Sequence, residues 1–136
     1  GFEEGLAAAG VPLEAREYYQ GGSSLLKGRE LTERILTRAP NLDFLYYSND
    51  MIGAGGLLYC LDRNYDIPNR IGLAGFNGVD LLDGLPVRLT TTDARRVEIG
   101  RRAARLVAGK DALPENRIVE MVPTFMPGQT IRDTLS

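Results

Sequence analysis

Three short polar segments hold the residues best suited to hydrogen-bond a small molecule: residues 21–24 (GGSS), 48–50 (SND) and 77–78 (NG). Their hydroxyl and amide groups both donate and accept hydrogen bonds, as the recognition of a polyol requires. The candidate ligand-binding residues in or beside these segments are Ser23, Ser24, Asn49, Asp50, Phe76, Asn77 and Gly78. This set of residue types predicts the binding of a polar small molecule.

Catalysis is disfavoured by the residue types that the chain lacks. It contains no His, which removes Ser-His-Asp and Cys-His chemistry and the commonest zinc ligand. The single Cys60 lies among leucines and is expected to be a buried, unreactive thiol. Asp80 and Asp83 have no third oxygen ligand at suitable spacing, so they are interpreted as solvated loop charges. We therefore expect no enzymatic activity, no metal site and no cofactor.

Length and charge limit the partners of the chain. Its 136 residues make one domain, and 16 Lys and Arg against 18 Asp and Glu give a net charge of −2, without a basic stripe to bind nucleic acid. No apolar run approaches the roughly 18 residues that span a bilayer, so no membrane partner is expected. A lone Cys is typical of a cytoplasmic protein. The uncapped helical start at Gly1 indicates a fragment of a longer chain.

Hydrophobic periodicity and end signals predict the elements that position the polar segments. Helices are expected over residues 2–9, 25–38, 51–63 and 95–108, and short strands over residues 16–20, 43–47, 70–76, 89–92 and 117–123. Residues 79–86 are expected to form a loop, and residues 124–130 contain too many breakers for a regular element. The alternation of helices and strands favours an α/β fold with a parallel sheet covered by helices in three layers.

In that fold the three polar segments lie together. Each follows a predicted strand, and the carboxyl ends of parallel strands meet at the sheet edge where open α/β folds bind ligands. Each segment also has a plainer interpretation. Residues 48–50 are preferred helix N-caps, residues 77–78 suit a turn that tolerates positive φ, and residues 21–24 suit a simple loop.

Six stretches, in order along the chain, resemble motifs of the lactose-repressor (LacI/GalR) family of transcription regulators. Residues 46–55 (YYSNDMIGAG) are similar to the family's cANDxxAxG motif, and residues 66–78 (DIPNRIGLAGFNG) are similar to VPxDVxVxGFDD. The stretches LTT and EIGRRAA, at residues 89–91 and 98–104, look like two further motifs. The opening GF and the closing PGQT lie where the family has RxxGF and RxST.

The resemblance implies a periplasmic-binding-protein-like lobe that belongs to a two-lobed effector domain. Residues 1–136 would form the C-terminal portion of that domain, with the helix at 95–108 crossing to the N-terminal lobe. The implied partners are a small-molecule effector, a second copy in a homodimer, and operator DNA, bound only through an N-terminal helix-turn-helix outside this chain. The implied function is that of a repressor which senses a sugar or sugar acid and controls DNA binding allosterically.

The resemblance also assigns roles by position. Asn49 matches the family's ligand-contacting Asn, and Asn77 stands where an Asp usually binds sugar hydroxyls. Ser23 lies near the position of an aromatic side chain that contacts the sugar in some members, Ala94 replaces a contacting Gln of others, and a contacting Arg would precede Gly1. The amide of Asn77 can donate to an anionic group that Asp would repel, and the stretches GFNG and PTFMPGQTI look closest to gluconate-type repressors. A sugar acid is therefore the preferred effector.

Two alternatives stay open. A periplasmic sugar-binding protein of a transport system would share the fold and the site, and a helix-turn-helix upstream in the parent gene would exclude it. A small α/β enzyme would need an acid–base pair near the polar segments, and none is apparent among their residues.

Overall fold

Helices and strands alternate along the chain in the computed structural model, which describes residues 1–133. The helices are α1 (Phe2–Ala8), α2 (Leu25–Arg38), α3 (Asp50–Asp62) and α4 (Arg96–Val107). The strands are β1 (Phe44–Tyr46), β2 (Gly72–Ala74), β3 (Thr91–Asp93) and β4 (Thr124–Met126). A short 3-10 helix, Asp80–Gly84, lies in the loop expected at residues 79–86. Each helix begins and ends within one residue of its predicted bounds.

The predicted parallel sheet is confirmed around β1, α3 and β2. Strands β1 and β2 pair in parallel, with Phe44 opposite Gly72 and Tyr46 opposite Ala74. A parallel bridge between Ala74 and Thr90 carries the sheet on towards β3. Helix α3 connects β1 to β2, as a parallel pair requires, because its strands cannot be joined by a tight hairpin.

The core lies between α2, α3 and the parallel strands. Its fully buried side chains include Leu57, Ile71, Leu73 and Leu89. Helix α3 is apolar nearly all round, which predicts its burial, and most of its residues are buried. Gly28 of α2 and Gly55 of α3 face each other so closely that a Cβ on either would collide with the backbone of the other helix. The two glycines therefore set the close approach of α2 and α3.

The strand expected at residues 16–20 does not form. These residues belong to no helix or strand and form no ladder with another strand. A cavity of about 670 Å³ is lined on one side by residues 11–19 and on the other by β1. A strand is stabilised by bonds to a neighbour, and across this cavity no neighbour is within reach. The prediction was wrong because it rested on residue types, which do not show whether a neighbouring strand is present.

The last strand was predicted one segment too early. Residues 117–123 form no strand, whereas Thr124–Met126, expected to be irregular, form β4. Strand β4 pairs antiparallel with β3, with Thr91 opposite Met126 and Asp93 opposite Thr124. Pro123 and Pro127 bound these three residues, so the breakers limit the strand's length without preventing it.

Helix α4 and strand β4 stand apart from the core. Neither contains a buried residue. Val97 and Val107 of α4 are 76% and 90% exposed, and Phe125 of β4 is 59% exposed. Apolar side chains of an amphipathic helix normally pack against another element. The partner of α4 is therefore not supplied by residues 1–133.

Candidate functional site

The loops that follow β1 and β2 come together at one edge of the sheet. Beyond β1, the backbone N–H of Tyr47 donates to Ala74 O at 2.8 Å, and that of Asp50 donates to Phe76 O at 2.9 Å. Beyond β2, the backbone N–H of Asn77 donates to Thr92 O at 2.9 Å. These bonds place Asn49 and Asn77 on the same edge, as the parallel arrangement predicts.

Asn49 is both a helix cap and a part of this edge. Its side-chain oxygen accepts a hydrogen bond from the backbone N–H of Ile52 at 3.1 Å and so caps α3. Its side-chain nitrogen donates to the hydroxyl of Tyr19 at 2.7 Å. The residue is half-buried, and the structural and functional interpretations of it are compatible because they use different ends of the amide.

Tyr19 lies beside the edge and was not among the predicted binding residues. Its hydroxyl accepts from Asn49, and its half-buried ring lines the cavity beside β1. The small polar residues of this region had directed the prediction to Ser23 instead. A usable signal was the contrast between Tyr19 and Tyr18, since an extended segment turns neighbouring side chains to opposite sides and Tyr18 is 73% exposed.

Asn77 and Gly78 form a backbone turn with positive φ values of 121° and 67°. The carbonyl of Asn77 accepts from the backbone N–H of Ala94 at 3.3 Å, so the two backbone groups of Asn77 are bonded to β3 and to the residue directly after it. A Cβ at position 78 would meet Asp93, which explains the glycine there. Within residues 1–133, the side-chain amide of Asn77 makes no hydrogen bond, which leaves it available to a ligand.

The carboxylate of Asp50 is bonded inside the protein. Its side chain is fully buried and faces inward. One carboxylate oxygen accepts from the hydroxyl of Thr91 at 2.6 Å, and the other accepts from the backbone N–H of Val79 at 3.0 Å. Both carboxylate oxygens of Asp50 are therefore engaged within the protein and do not face the solvent at the edge.

The segment at residues 21–24 is not brought to this edge by a strand, since residues 16–20 form none. Ser24 caps α2, where its hydroxyl accepts from the backbone N–H of Lys27 at 3.1 Å. Ser23 is exposed. Of the seven candidates, Asn49, Phe76, Asn77 and Gly78 lie in the two loops that meet at this edge, whereas Ser24 serves as a cap.

Tyr46 is the last residue of β1, and its ring stacks on that of Phe2 with the ring centroids 4.2 Å apart. Burial, and to a smaller extent the negative charge of Asp50, raise the pKa of the Tyr46 hydroxyl above its ordinary value. This hydroxyl is therefore protonated at neutral pH and can donate a hydrogen bond. At the edge itself, the amides of Asn49 and Asn77 are uncharged donors and acceptors, which suit a polar ligand.

The fold and this edge are those of a binding lobe, and the chain belongs to the periplasmic binding protein-like domain family, which it matches over residues 1–131. The expected likeness to LacI/GalR-type regulators is also confirmed. The chain is 35% identical over 88 residues to the HTH-type transcriptional regulator IdnR of Escherichia coli K12, covering 65% of this chain and 26% of that protein. It is 37% identical over 93 residues to the HTH-type transcriptional regulator GntR of Pseudomonas aeruginosa, covering 65% of this chain and 27% of that protein.

Solved structures give the same result over nearly the whole chain. A LacI-family transcriptional regulator from Silicibacter pomeroyi superposes with a TM-score of 0.86 at 55% identity, covering 96% of this chain and 40% of that one. The transcription regulator GntR from Chromobacterium violaceum superposes with a TM-score of 0.83 at 27% identity, covering 96% of this chain and 49% of that one. The chain thus spans less than half the length of these relatives. No helix within residues 1–133 has the length and apolar character needed to span a membrane.

Proposed function

We propose that this chain forms the C-terminal portion of the effector-sensing domain of a LacI-type transcriptional regulator. The observation that carries the proposal is the convergence of Asn49 and Asn77 at the carboxyl edge of two paired parallel strands. In this proposal Asn49, Phe76, Asn77 and Gly78 line the effector site, and Tyr19 joins them through its bond to Asn49. The domain binds and does not catalyse.

The proposed effector is a small sugar or sugar acid. The amides at positions 49 and 77 supply neutral donors and acceptors for hydroxyl groups. An amide at position 77 can also donate to a carboxylate, which an Asp there would repel, so a sugar acid is preferred. Each hydrogen bond contributes about 0.5–1.5 kcal/mol net, so this edge alone gives weak binding and a second lobe is needed to close on the ligand.

The second lobe is proposed to receive α4. This helix has no buried residue, and the antiparallel pair of β3 and β4 carries the chain out to it and back. Operator DNA would be bound by a helix-turn-helix elsewhere in the longer protein, which would act as a cytoplasmic homodimer. The net charge of −2 on this chain accords with DNA binding by another part.

The proposed mechanism is a population shift between two arrangements of the lobes. An effector that binds one arrangement more tightly raises its population, and that arrangement changes the spacing of the DNA-binding parts. A periplasmic sugar-binding protein of a transport system is the alternative. The relatives described above are transcription regulators by name, which favours sensing over transport.

The proposal predicts that two substitutions weaken effector binding without altering operator binding in the absence of effector. In the full-length regulator, Asn77→Ala removes the free amide. Asn49→Asp keeps an oxygen to cap α3 but replaces the donor to Tyr19 with a negative charge. Each is expected to weaken binding of gluconate, a representative sugar acid, by about 1–3 kcal/mol, measured by titration calorimetry.

The matched control is Asn69→Ala, which removes an exposed amide bonded to Asp66, before the opposite end of β2. It is expected to leave gluconate affinity unchanged. A thermal-shift screen of neutral sugars, sugar acids and sugar phosphates would first identify the class that binds. Unchanged affinity in both the Asn77 and Asn49 variants would remove these residues from the site, and turnover of any bound sugar would overturn the assignment.

A further inference from the structure

We propose that Asp50 is a positioning residue that connects the Asn77–Gly78 loop to β3, and so couples effector binding at the loop to the chain leading into α4. This inference rests on the proposed function. It concerns a buried carboxylate that the proposed binding edge does not use.

The two carboxylate oxygens of Asp50 are bonded to two different segments. One accepts from Val79, the residue directly after Gly78, at 3.0 Å. The other accepts from the hydroxyl of Thr91, the first residue of β3, at 2.6 Å. The backbone N–H of Asp50 donates to Phe76 O at 2.9 Å. Asp50 therefore joins the end of β2, the binding loop and the first residue of β3, and it adds to the direct backbone bonds of Asn77 with Thr92 and Ala94.

The surroundings of Asp50 hold its carboxylate in one orientation. The side chain is fully buried, and Gly75 lies so close that a Cβ there would collide with a carboxylate oxygen. Among residues 1–133, no Lys or Arg forms an ion pair with Asp50. The negative charge is instead stabilised by its position in the first turn of α3 and by the two hydrogen bonds it accepts.

Asp50 can act on the effector only through the residues it holds. Its carboxylate and Thr91 are both buried, so neither touches a ligand at the edge. When Asn77 binds an effector, the loop shifts and Val79 moves with it. Because Asp50 bonds to both Val79 and Thr91, this movement also displaces Thr91. Because Thr91 belongs to the strand that precedes α4, the change reaches the segment proposed to contact the second lobe.

The experiment uses Thr91→Val, which removes the hydroxyl donor while keeping the branched shape, and Thr91→Ser, which restores the donor. In the full-length regulator, the measured quantity is the ratio of operator affinities with and without gluconate. We expect Thr91→Val to reduce this ratio by at least about fivefold and Thr91→Ser to recover it. A purely structural role would lower the melting temperature and leave the ratio unchanged. That result, or failure of Thr91→Ser to recover the ratio, would overturn the proposal.

Amide hydrogen exchange at Val79 tests the same connection without depending on the effector. We expect Thr91→Val to speed exchange of the Val79 N–H, although it removes no bond made by Val79, and Thr91→Ser to restore the slow rate. Unchanged exchange in Thr91→Val would overturn the positioning role. If gluconate and the other sugars leave operator binding by the wild-type protein unaffected, the proposed function fails, while the exchange measurement still decides the role of Asp50.

Discussion

At the scale of single residues, one side-chain amide can hold the structure with one atom and bond to another group with the other. The oxygen of Asn49 caps α3 and its nitrogen reaches Tyr19, so capping does not consume the whole group. Asn77 leaves its side-chain amide free of hydrogen bonds within residues 1–133 and bonds through its backbone instead. A binding edge built in this way is held in place by the backbone and can still exchange side-chain hydrogen bonds with a ligand.

Cys60 gives a prediction for alkaline pH. Its thiol is fully buried, and burial raises its pKa from 9.0 to about 12. The folded protein therefore retains this proton where the unfolded chain loses it, so the resulting stability is complete below pH 9 and is lost as the pH rises towards 12. Between pH 8 and pH 10, the wild-type protein should lose about 1.4 kcal/mol more stability than Cys60→Ala, measured by urea denaturation. Equal losses in the two proteins would contradict the buried, protonated thiol.

Residue types and spacing were sufficient to predict where Asn49 and Asn77 lie. Each follows a strand of a parallel pair, and that arrangement fixes the edge they share. They were not sufficient to predict the inward orientation of Asp50 or the place of Tyr19. Those depend on partners distant in sequence, Thr91 for the first and Asn49 for the second. The orientation of a loop side chain depends on such hydrogen bonds to distant residues, and local sequence patterns do not reveal them.

At the scale of elements, the contact between α2 and α3 depends on glycine. Gly55→Ala would push a methyl group into the backbone of α2 at Leu25 and Gly28. We expect it to lower the free energy of unfolding by about 1–3 kcal/mol, because neither backbone can move aside without disturbing the core. The measurement is urea unfolding followed by circular dichroism.

The control for this prediction is Gly100→Ala in α4, where a Cβ meets nothing within 4 Å. Alanine has the higher helix propensity, so this change is expected to leave stability unchanged or to raise it by up to about 1 kcal/mol. Similar destabilisation by both substitutions would show that glycine propensity, and not the α2–α3 contact, sets the effect at position 55.

The elements differ in how far the sequence predicts them. Helix α2 matches its predicted bounds because Ser24 caps it and Pro40 follows its end, and both signals are local. The strands at residues 16–20 and 117–123 were predicted from β-prone residues, yet a strand exists only beside a partner. Strand β4 forms between two prolines because β3 lies alongside it.

At the scale of the whole molecule, the core and α4 are expected to differ in stability. A 12-residue helix without buried residues is marginal in water, and the ion pair of Arg105 with Asp111 joins α4 only to the segment that follows it, not to the core. In this 136-residue chain, amides of α4 should exchange within about tenfold of the unfolded rate, while those of α3 are protected by the core. Hydrogen exchange with mass spectrometry measures both, and equal protection of α4 and α3 would contradict the separation.

The side of β1 that faces away from β2 is a free strand edge. Asp43 and Tyr47 direct their backbone groups to β2, so those of Phe44 and Tyr46 point the other way, towards the space lined by residues 11–19. Unsatisfied peptide groups along a strand are a template for a further strand. The free edge of β1 can therefore pair with a further extended segment. Where no such segment covers it, high protein concentration favours pairing of β1 edges between copies of the chain.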